Sequence, residues 1–337
     1  MKTQNKNIIL IITGKPDPHP TSVIKLMQKN NVEFFRLNTD SILSDYNFSW
    51  YCDNNNEELL ITNIINNQSI CGKQIKSVWL RRPTPPIELR SESLPHINKY
   101  NLIEADAFCK ALMCYLSDRY SIGSVLHDRY ANSKMVQLSL AAKLGITIPN
   151  TCITNTKDGV LEVAKETEEV IFKPLGAGAI KCENDMIYEF YAKKVPQDVV
   201  LSQPEGVLIN TVNFCENYVP KEYEVRATVI GPYVFACKLD SQSQKENEGK
   251  IDWRQGYDYG LRHEMISMPK TIENFCKQYL RELHLNFGCF DFVVRPDGEY
   301  VFLECNPNGQ WGWIEDELGI SSISEAMVDC LINCKKV

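Results

Sequence analysis

The stretch between Asp291 and Trp311 constrains the fold more than any other part of this 337-residue chain. Apolar and polar residues alternate on both sides of the Pro-Asp-Gly turn at 296–298, which predicts two antiparallel strands joined as a hairpin. Because side chains of a strand point alternately to its two faces, Glu304 and Asn306 share one face, and Asp291 can lie opposite them. The segment therefore predicts a hairpin that gathers three oxygen-bearing side chains.

Carboxylate and amide oxygens in this pattern are typical ligands of a hard cation. No His or paired thiolates at ligand spacing accompany Asp291, Glu304 and Asn306, so the set suits Mg2+ held against phosphates. The alternative is that an acidic residue on a strand simply faces water. Phe302 and Leu303 precede Glu304 and argue against a freely solvated face. The three residues are therefore candidate metal ligands.

Composition argues against several other classes of protein. The net charge of -7 and the lack of any run of Lys or Arg count against a nucleic-acid partner. The apolar run from Ile8 to Thr13 is too short for a signal peptide or a membrane span, and it predicts a buried first strand instead. Thirteen cysteines, odd in number and without CxxC spacing, favour reduced thiols over a disulfide framework. We expect a cytoplasmic protein with no nucleic acid and no membrane as partner.

Residues 1–123 begin with a βαβ pattern. A strand at Ile8–Thr13, a helix near Ser22–Asn30 and a strand at Val32–Leu37 predict a parallel sheet with helices packed against it. The rest of this block is expected to hold weaker strands between Tyr46 and Thr62, a strand at Ile75–Leu80, and a helix from about Leu102 to Ser117.

Two further blocks follow, at 124–195 and 196–337. In the middle block, Asn132-Ser133-Lys134 predicts the start of a helix and Gly145 its end. A short strand at Val170–Pro174 comes next. The last block is expected to hold strands at Val207–Phe214, Glu222–Ile230 and Tyr233–Leu239, a polar loop at Ser241–Tyr259, helices at Thr271–Leu285 and Ser322–Cys334, and the hairpin. This order of elements predicts an α/β fold that is α+β in part.

Two lysines in the middle block are candidates for binding phosphate. Lys134 lies in the first turn of a predicted helix, where the helix dipole favours anions. Lys173 ends a strand beside the small-residue turn Gly176-Ala177-Gly178, whose backbone can approach a phosphate closely. That turn is neither a Walker loop nor a dinucleotide-binding loop, because it lacks the Gly-Lys-Ser/Thr ending and the third glycine. The alternative for either lysine is a solvated surface position.

A second group of polar residues lies between Glu216 and Arg226. A backbone hinge near Glu216 can recognise the edge of an adenine, and a nearby carboxylate can accept both hydroxyls of a ribose. Glu224 and Arg226 are two positions apart and therefore share a strand face. Arg226 carries a permanent, fork-shaped charge that fits a γ-phosphate or an acyl phosphate. The alternative is a cross-strand ion pair on an exposed sheet face.

In this order along the chain, these residues resemble those of the ATP-grasp carboxylate ligases. The resemblance is carried by Lys134, Lys173-Pro174, the Glu216 hinge, Glu224-Val225-Arg226, Asp291 and Glu304-Cys305-Asn306-Pro307. Further motifs are similar to those of the ATP-grasp macrocyclases of graspetide (microviridin-type) biosynthesis: Val78-Trp79-Leu80-Arg81-Arg82-Pro83, Asp252-Trp253-Arg254 and Asn306-Pro307-Asn308-Gly309-Gln310-Trp311. The resemblance extends over nearly the whole chain.

The resemblance implies an ATP-grasp fold that binds ATP and Mg2+ between the middle and last blocks. It implies a pre-ATP-grasp domain at 1–123, a central lid domain at 124–195, and a C-terminal antiparallel-sheet domain with the metal site at 196–337. The implied roles are Lys134 and Lys173 on the phosphates, Glu216 and Tyr218 at the adenine, Glu224 at the ribose, Arg226 at the transferred phosphate, and Asp291, Glu304 and Asn306 on Mg2+.

The family's reaction implies a ribosomally made precursor peptide as partner. The γ-phosphate would pass to an Asp or Glu side chain of that peptide. A Thr or Ser hydroxyl would then attack the acyl phosphate to give an ester, or a Lys amine to give an amide. Asp252 and Arg254 would contact the peptide core, unless Trp253 simply pins a surface loop. The loop at Ser241–Tyr259 would help to dock the helical leader, and a homodimer is usual in such enzymes.

Some alternatives stay open at the level of sequence. Arg81 and Arg82 could meet substrate carboxylates or serve as structural ion-pair partners. Cys215 stands where many relatives have Gln before the hinge glutamate. Two other functions are a ligase that adds glutamate or a similar group to an amino acid or a protein C-terminus, and a catalytically silent module that binds nucleotide and peptide. The Asp-Trp-Arg and Gln-Trp-Gly-Trp motifs argue against the first, and retention of both lysines and all three metal ligands argues against the second.

Overall fold

The computed structural model describes residues 7–165, 167–176, 178–182, 185–244 and 247–337. It confirms the predicted mixture of helices and strands, with a parallel sheet in the N-terminal part and antiparallel sheets elsewhere. Ala177 of the predicted small-residue turn and positions 245–246 of the predicted polar loop lie outside these residues. Within the ranges described, none of the helices combines the length and the apolar character needed to span a bilayer.

The N-terminal part is built on a four-stranded parallel sheet. Its elements are β1 Ile8–Thr13, α1 Pro18–Lys29, β2 Phe34–Asn38, α2 Ile42–Asp45, β3 Tyr46–Cys52, β4 Glu57–Asn63, β5 Gln68–Cys71, β6 Ile75–Arg81, α3 Pro95–Tyr115 and β7 Tyr120–Ile122. The parallel strand order is β2-β1-β6-β7, and every residue of β1 is buried. Strands β3, β4 and β5 form a separate antiparallel sheet.

Two helices of this part begin earlier than predicted, each at a proline. Helix α1 begins at Pro18 rather than Ser22, because the Asp17 side chain accepts a hydrogen bond from the amide of His19 and caps the helix. Helix α3 begins at Pro95 rather than near Leu102. Proline fits a first helical turn, where its missing N–H would have no partner within the helix anyway.

The central part carries a second, antiparallel sheet. Its elements are α4 Val125–Ala131, α5 Lys134–Lys143, β8 Thr151–Thr154, α6 Lys157–Ala164, β9 Glu169–Lys173, β10 Ala179–Lys181, β11 Ile187–Glu189, β12 Lys193–Pro196, α7 Gln197–Ser202, α8 Glu205–Ile209 and β13 Asn213–Asn217. The sheet order is β12-β9-β13-β8, and β10 and β11 form a hairpin of their own. The three-domain division stays a prediction, although β13 joins the central sheet from beyond residue 195.

The strand predicted at Val207–Phe214 is wrong up to Val212. Residues Glu205–Ile209 form α8, and the strand begins only at Asn213. A short apolar run fits a helix or a strand equally well by pattern alone. Here, Leu208 is buried against the core around α6, and that packing favours the helix.

The C-terminal part holds a five-stranded antiparallel sheet backed by helices. Its elements are β14 Tyr223–Ile230, β15 Tyr233–Leu239, α9 Asn247–Ile251, β16 His263–Ile266, α10 Lys270–Glu282, β17 Phe287–Val294, β18 Tyr300–Asn306, α11 Gly312–Leu318 and α12 Ser322–Asn333. The strand order is β16-β15-β14-β17-β18, and β17 and β18 are the predicted hairpin. An aromatic core supports this sheet, formed by Phe275, Tyr279, Phe290, Phe292 and Phe302.

The segment predicted as a polar loop at Ser241–Tyr259 is largely helical. It contains 3-10 turns at Ser241–Ser243 and Trp253–Tyr259, with α9 between them. Two glycines allow these turns to pack closely, because a Cβ on Gly249 would lie only 3.1 Å from the Cα of Gly256. The polar composition of the segment did not indicate these helical turns, because their packing depends on contacts between turns rather than on a buried apolar face.

Candidate active site

A cleft of about 400 Å³ opens between the central and C-terminal sheets. All of the predicted site residues except Tyr218 line it. The lining members are Lys134, Lys173, Glu216, Glu224, Arg226, Asp252, Arg254, Asp291, Glu304 and Asn306. Tyr218 follows directly after β13, and its ring centroid lies 4.5 Å from the Lys194 ammonium. The structure thus places together side chains from distant parts of the chain, while their individual roles stay predictions.

A buried ion pair lies at the centre of the C-terminal sheet. Arg226 on β14 and Asp291 on β17 are direct cross-strand partners, and Nη1 of Arg226 donates to both carboxylate oxygens at 2.8 and 2.6 Å. The predicted alternative of a cross-strand pair is therefore present, but the pair is buried and borders the cleft instead of an open surface. Burial raises the pKa of Asp291 to about 6, with Arg226 opposing that shift and Glu304 adding to it.

Glu304 lies next to this pair and faces the cleft. It is the register partner of Asp291, as predicted from the hairpin, and Lys134 at the start of α5 forms an ion pair with it. Burial disfavours ionisation of Glu304, but the charges of Lys134 and Lys173 outweigh it and lower the pKa to about 2. With 39% of its side chain exposed, Glu304 keeps an ionised carboxylate open to a ligand.

Asn306 completes the predicted set of oxygen donors. It lines the cleft, and its side-chain oxygen accepts a hydrogen bond from the amide of Asn308 at 3.1 Å. Within the described residues, no group of three or more His, Cys, Asp or Glu side chains is arranged to hold a metal. The candidate set is therefore two carboxylates, Asp291 and Glu304, plus one amide, a mixture that suits Mg2+ with bound water or phosphate completing its shell.

The central sheet contributes a second ion pair on the opposite side of the cleft. Lys173 at the end of β9 donates to Glu216 on β13 at 2.5 Å, and Glu216 is almost fully buried. Burial works against the charge on Lys173, yet Glu216 keeps its pKa raised. Lys173 is thus paired with the glutamate to which the family resemblance assigns the adenine.

Lys221 belongs to the site although the sequence did not indicate it. Its ammonium forms an ion pair with Glu224 and donates to the carbonyl of Ile251 at 3.0 Å. Burial raises the pKa of Glu224, and the Lys221 charge opposes that rise. The available signal was the spacing of Lys221 three residues before Glu224.

The Asp-Trp-Arg motif closes one side of the cleft. Nε and Nη2 of Arg254 donate to the two oxygens of Asp252 at 2.8 and 2.5 Å, a two-pronged pairing that fixes both side chains. Asp252 also accepts from the amide of Ala192 at 3.0 Å, which ties the motif to the central part. The ring of Trp253 lies 5.3 Å from that of Trp313, and both line the cleft. The motif therefore borders the cleft and is not an isolated surface loop.

The two arginines before Pro83 have different environments. Arg81 is buried, donates to Asp17 at 2.9 Å, and donates to the carbonyls of Asn308 and Gly309 at 2.8 Å each. It is therefore a structural ion-pair partner and cannot reach a substrate carboxylate. Arg82 lines the cleft instead.

A proline-rich turn with Pro16, Pro18 and Pro20 supports the loop that follows β18. Nε2 of His19 accepts hydrogen bonds from the amides of Trp311 and Gly312 at 3.3 and 3.1 Å. Its Nδ1 therefore carries the proton and donates to Asp17 at 3.2 Å. This contact fixes the backbone that follows the predicted metal ligands.

Three polar side-chain atoms of described residues in the cleft are buried without a hydrogen-bond partner. They are Oε1 of Glu216, Oε2 of Glu224 and Nε of Arg226. Unsatisfied buried groups are costly and often mark a binding site. Two acceptors and one cationic donor fit a ligand that combines hydroxyl or amino donors with anionic oxygens.

Comparison with known proteins identifies relatives over the full length of the chain. A family model described as the MvdD pre-ATP grasp domain matches residues 8–129. A RiPP-associated ATP-grasp ligase of Chryseobacterium gregarium, in complex with ADP and a leader and core peptide, has a TM-score of 0.86 at 25% identity, with 97% of each chain covered. No curated protein matches the sequence.

Two macrocyclases of Microcystis aeruginosa MRC are also similar. MdnC, bound with precursor peptide MdnA, has a TM-score of 0.80, and MdnB has a TM-score of 0.72. Each is 25% identical, with 97% of this chain and 99% of the other covered. The pre-ATP-grasp match, the likeness over the full length and the charged cleft between two sheets agree with one another. The chain is therefore similar over 97% of its length to a RiPP-associated ATP-grasp ligase and to two macrocyclases, and it matches the pre-ATP grasp domain model at residues 8–129; RiPPs are ribosomally made and then modified peptides.

Proposed function

We propose that this enzyme uses ATP and Mg2+ to activate side-chain carboxylates of a ribosomally synthesised precursor peptide and closes macrocycles with them. The observation that carries the proposal is the cleft itself, where paired cations and carboxylates from two sheets meet in a fold shared with RiPP enzymes. The ADP and the precursor peptides bound to those relatives support the same substrates here.

The side chains around the cleft fit a nucleoside triphosphate. The free oxygen of Glu216 suits a donor such as the adenine amino group, with Tyr218 beside it, and the free oxygen of Glu224 suits ribose hydroxyls. Lys134 and Lys173 supply positive charge for the phosphates by exchanging their carboxylate partners for phosphate oxygens.

The side of the cleft formed by the C-terminal sheet, its floor, fits the transferred phosphoryl group. Asp291, Glu304 and Asn306 would hold Mg2+, which when bound neutralises charge on the phosphate oxygens. Arg226 is fixed by Asp291 and adds a permanent charge beside the same position. Because the pKa of Glu304 is lowered to about 2, this carboxylate is ionised at physiological pH and can bind a cation.

The reaction then takes two balanced steps. A carboxylate oxygen of the peptide bonds to the γ-phosphorus of ATP while the bond from that phosphorus to ADP breaks. A hydroxyl oxygen or an amine nitrogen of the same peptide next attacks the acyl carbon, loses its proton, and displaces inorganic phosphate to leave an ester or an amide. Holding both groups of one peptide in the cleft favours ring closure over hydrolysis.

The peptide core is assigned to the side of the cleft formed by Asp252 and Arg254. Their two-pronged pairing and the contact to Ala192 hold a guanidinium at the cleft border, half exposed and available to a peptide. The leader is assigned to the neighbouring surface at Ser241–Tyr259.

Mass spectrometry tests the proposed reaction directly. The protein is mixed with ATP, Mg2+ and a candidate precursor, such as the product of a short adjacent reading frame with repeated Thr and Asp or Glu. Each ring should remove about 18 Da from the peptide, the mass of one water. ADP release without that loss would indicate another acceptor, and no nucleotide turnover with any peptide would favour a silent binding module.

We also propose that the enzyme is a cytoplasmic homodimer. Helix α3 exposes Ile97, Tyr100 and Ile103 at three-residue spacing, an apolar stripe that a second copy can cover. The thirteen cysteines are free thiols, which suits a reducing compartment. Light scattering after gel filtration should give twice the chain mass, and a value of 38.6 kDa would contradict the dimer.

A further inference from the structure

The charges that line the cleft are almost completely paired. Five cationic side chains line it: Arg82, Lys134, Lys173, Arg226 and Arg254. Four of them have a carboxylate partner, in the pairs Lys134–Glu304, Lys173–Glu216, Arg226–Asp291 and Arg254–Asp252. The remaining lining carboxylate, Glu224, is paired with Lys221.

Arg82 is the exception. Within the described part of the chain, it is the lining cation that has no carboxylate partner, and its polar contact is Nε donating to the carbonyl of Asn308 at 3.3 Å. A carbonyl satisfies one of the five N–H donors of a guanidinium, so the planar fork stays open. The side chain is exposed to the cleft and not packed away.

The backbone holds Arg82 in a strained position. Its φ is +46°, in the left-handed region that arginine rarely adopts. On one side Arg81 is anchored by Asp17 and by two carbonyls, and on the other side Pro83 restricts the chain. Strain of this kind persists where the surroundings determine the conformation, and it often accompanies a functional side chain.

We infer that Arg82 receives the acceptor carboxylate, the Asp or Glu side chain that is to be phosphorylated. This inference rests on the proposed function for the identity of the acceptor. An open guanidinium binds a carboxylate with two parallel hydrogen bonds, which selects a carboxylate over the amide of Asn or Gln. Arg82 comes from the N-terminal part and contacts the loop that follows Asn306, so the carboxylate would lie beside the predicted metal ligands.

Two probes test the inference without needing the natural peptide. N-acetyl-glutamate N-methylamide carries the side-chain carboxylate, and N-acetyl-glutamine N-methylamide has the same shape without the charge. Binding of each to the full chain with ADP and Mg2+ is measured by NMR titration. The wild type should bind the glutamate probe at least about fivefold more tightly than the glutamine probe, as expected for a charge-assisted pair.

Variants at position 82 locate the source of that preference. Arg82→Gln should reduce the ratio to about one, and Arg82→Lys should retain part of it because the charge stays while the fork is lost. Arg281→Gln is the matched control, since Arg281 is an exposed arginine on α10 that donates to the carbonyl of Val337. Its ratio should equal that of the wild type. Unchanged melting temperatures would exclude a folding defect.

Two outcomes would overturn the inference. The first is a wild type without preference for the glutamate probe, and the second is an Arg82→Gln variant that keeps the preference. In the second case, a simultaneous loss of ADP affinity would assign Arg82 to the nucleotide phosphates. Failure of ring formation in the mass measurement would leave the probe ratio untouched, so the two proposals can fail separately.

Discussion

The two sides of the cleft carry similar ion pairs, but the sheets that hold these pairs pack on very different hydrophobic cores. The floor, formed by Arg226, Asp291 and Glu304, belongs to a five-stranded sheet supported by a core of aromatic rings that are mostly in edge-to-face or tilted contact. The roof, formed by Lys173 and Glu216, belongs to a four-stranded sheet over a small core of mostly aliphatic side chains.

The roof also carries an exposed apolar hairpin. Ile180, Ile187, Tyr188 and the adjacent Phe190 leave 44–64% of their surface open to solvent. A polar substitution on the floor should therefore change the chemistry while the fold remains, since the aromatic core carries the stability. A substitution in the roof should mainly change how the nucleotide is held.

The largest expected effect tests the floor. Glu304→Gln should lower kcat about 10³-fold, because a neutral amide is a poorer metal ligand and no longer stabilises developing charge through the cation. Asn306→Ala should act in the same direction. ADP release and peptide mass measure the loss, and thermal unfolding should stay close to that of the wild type.

Glu299→Gln is the matched control for this prediction. Glu299 lies at the turn of the same hairpin and pairs with Arg295 and Thr147, away from the cleft. It should retain full turnover. Wild-type rates in Glu304→Gln would refute the metal assignment.

The next effect tests the roof. Lys173→Met should raise the KM for ATP about 10- to 100-fold, because a hydrogen bond to a charged group is worth about 1.5–3 kcal/mol. The effect on kcat should be smaller than for Glu304→Gln. Lys165→Met, at the exposed end of α6, should leave the KM unchanged. If kcat falls and the KM for ATP rises by the same factors in the Lys173 and Glu304 variants, the contrast between roof and floor does not hold.

A pH profile tests the buried pair of the floor. The pKa of Asp291 is raised to about 6, so this carboxyl holds a proton below that pH and is ionised above it. Protonated Asp291 cannot bind a cation, and kcat/KM for ATP should fall about tenfold per pH unit below pH 6. Glu304, with its pKa lowered to about 2, does not contribute to this fall in kcat/KM. A profile that stays flat down to pH 4.5 would contradict the assignment.

The smallest effect concerns the side of the cleft between roof and floor. Arg254→Ala should leave the affinity for ATP unchanged and slow ring formation about three- to tenfold, as expected for one half-exposed contact to a peptide. Arg262→Ala, which removes an exposed partner of Asp240, is the control. An unchanged rate and product pattern in Arg254→Ala would remove this residue from the site.

Local pattern was sufficient for much of the fold. The hairpin at β17 and β18 and the pairing of Asp291 with Glu304 follow from strand alternation around a tight turn, which depends on neighbours in sequence. The parallel βαβ opening followed in the same way, although α1 began earlier than predicted. Local pattern failed at α8 and at Ser241–Tyr259, where short helical turns are stabilised by packing rather than by their own periodicity.

The sequence by itself thus determined the strands, the turn and the supply of charged groups for an anion-binding cleft. Only the tertiary structure decided which charges meet. Arg81 and Arg82 are adjacent and identical in type, yet Arg81 is buried against Asp17 and Asn308 while Arg82 lines the cleft. Burial and Coulomb energy depend on distances through space, and the atoms that set them here come from residues far away along the chain.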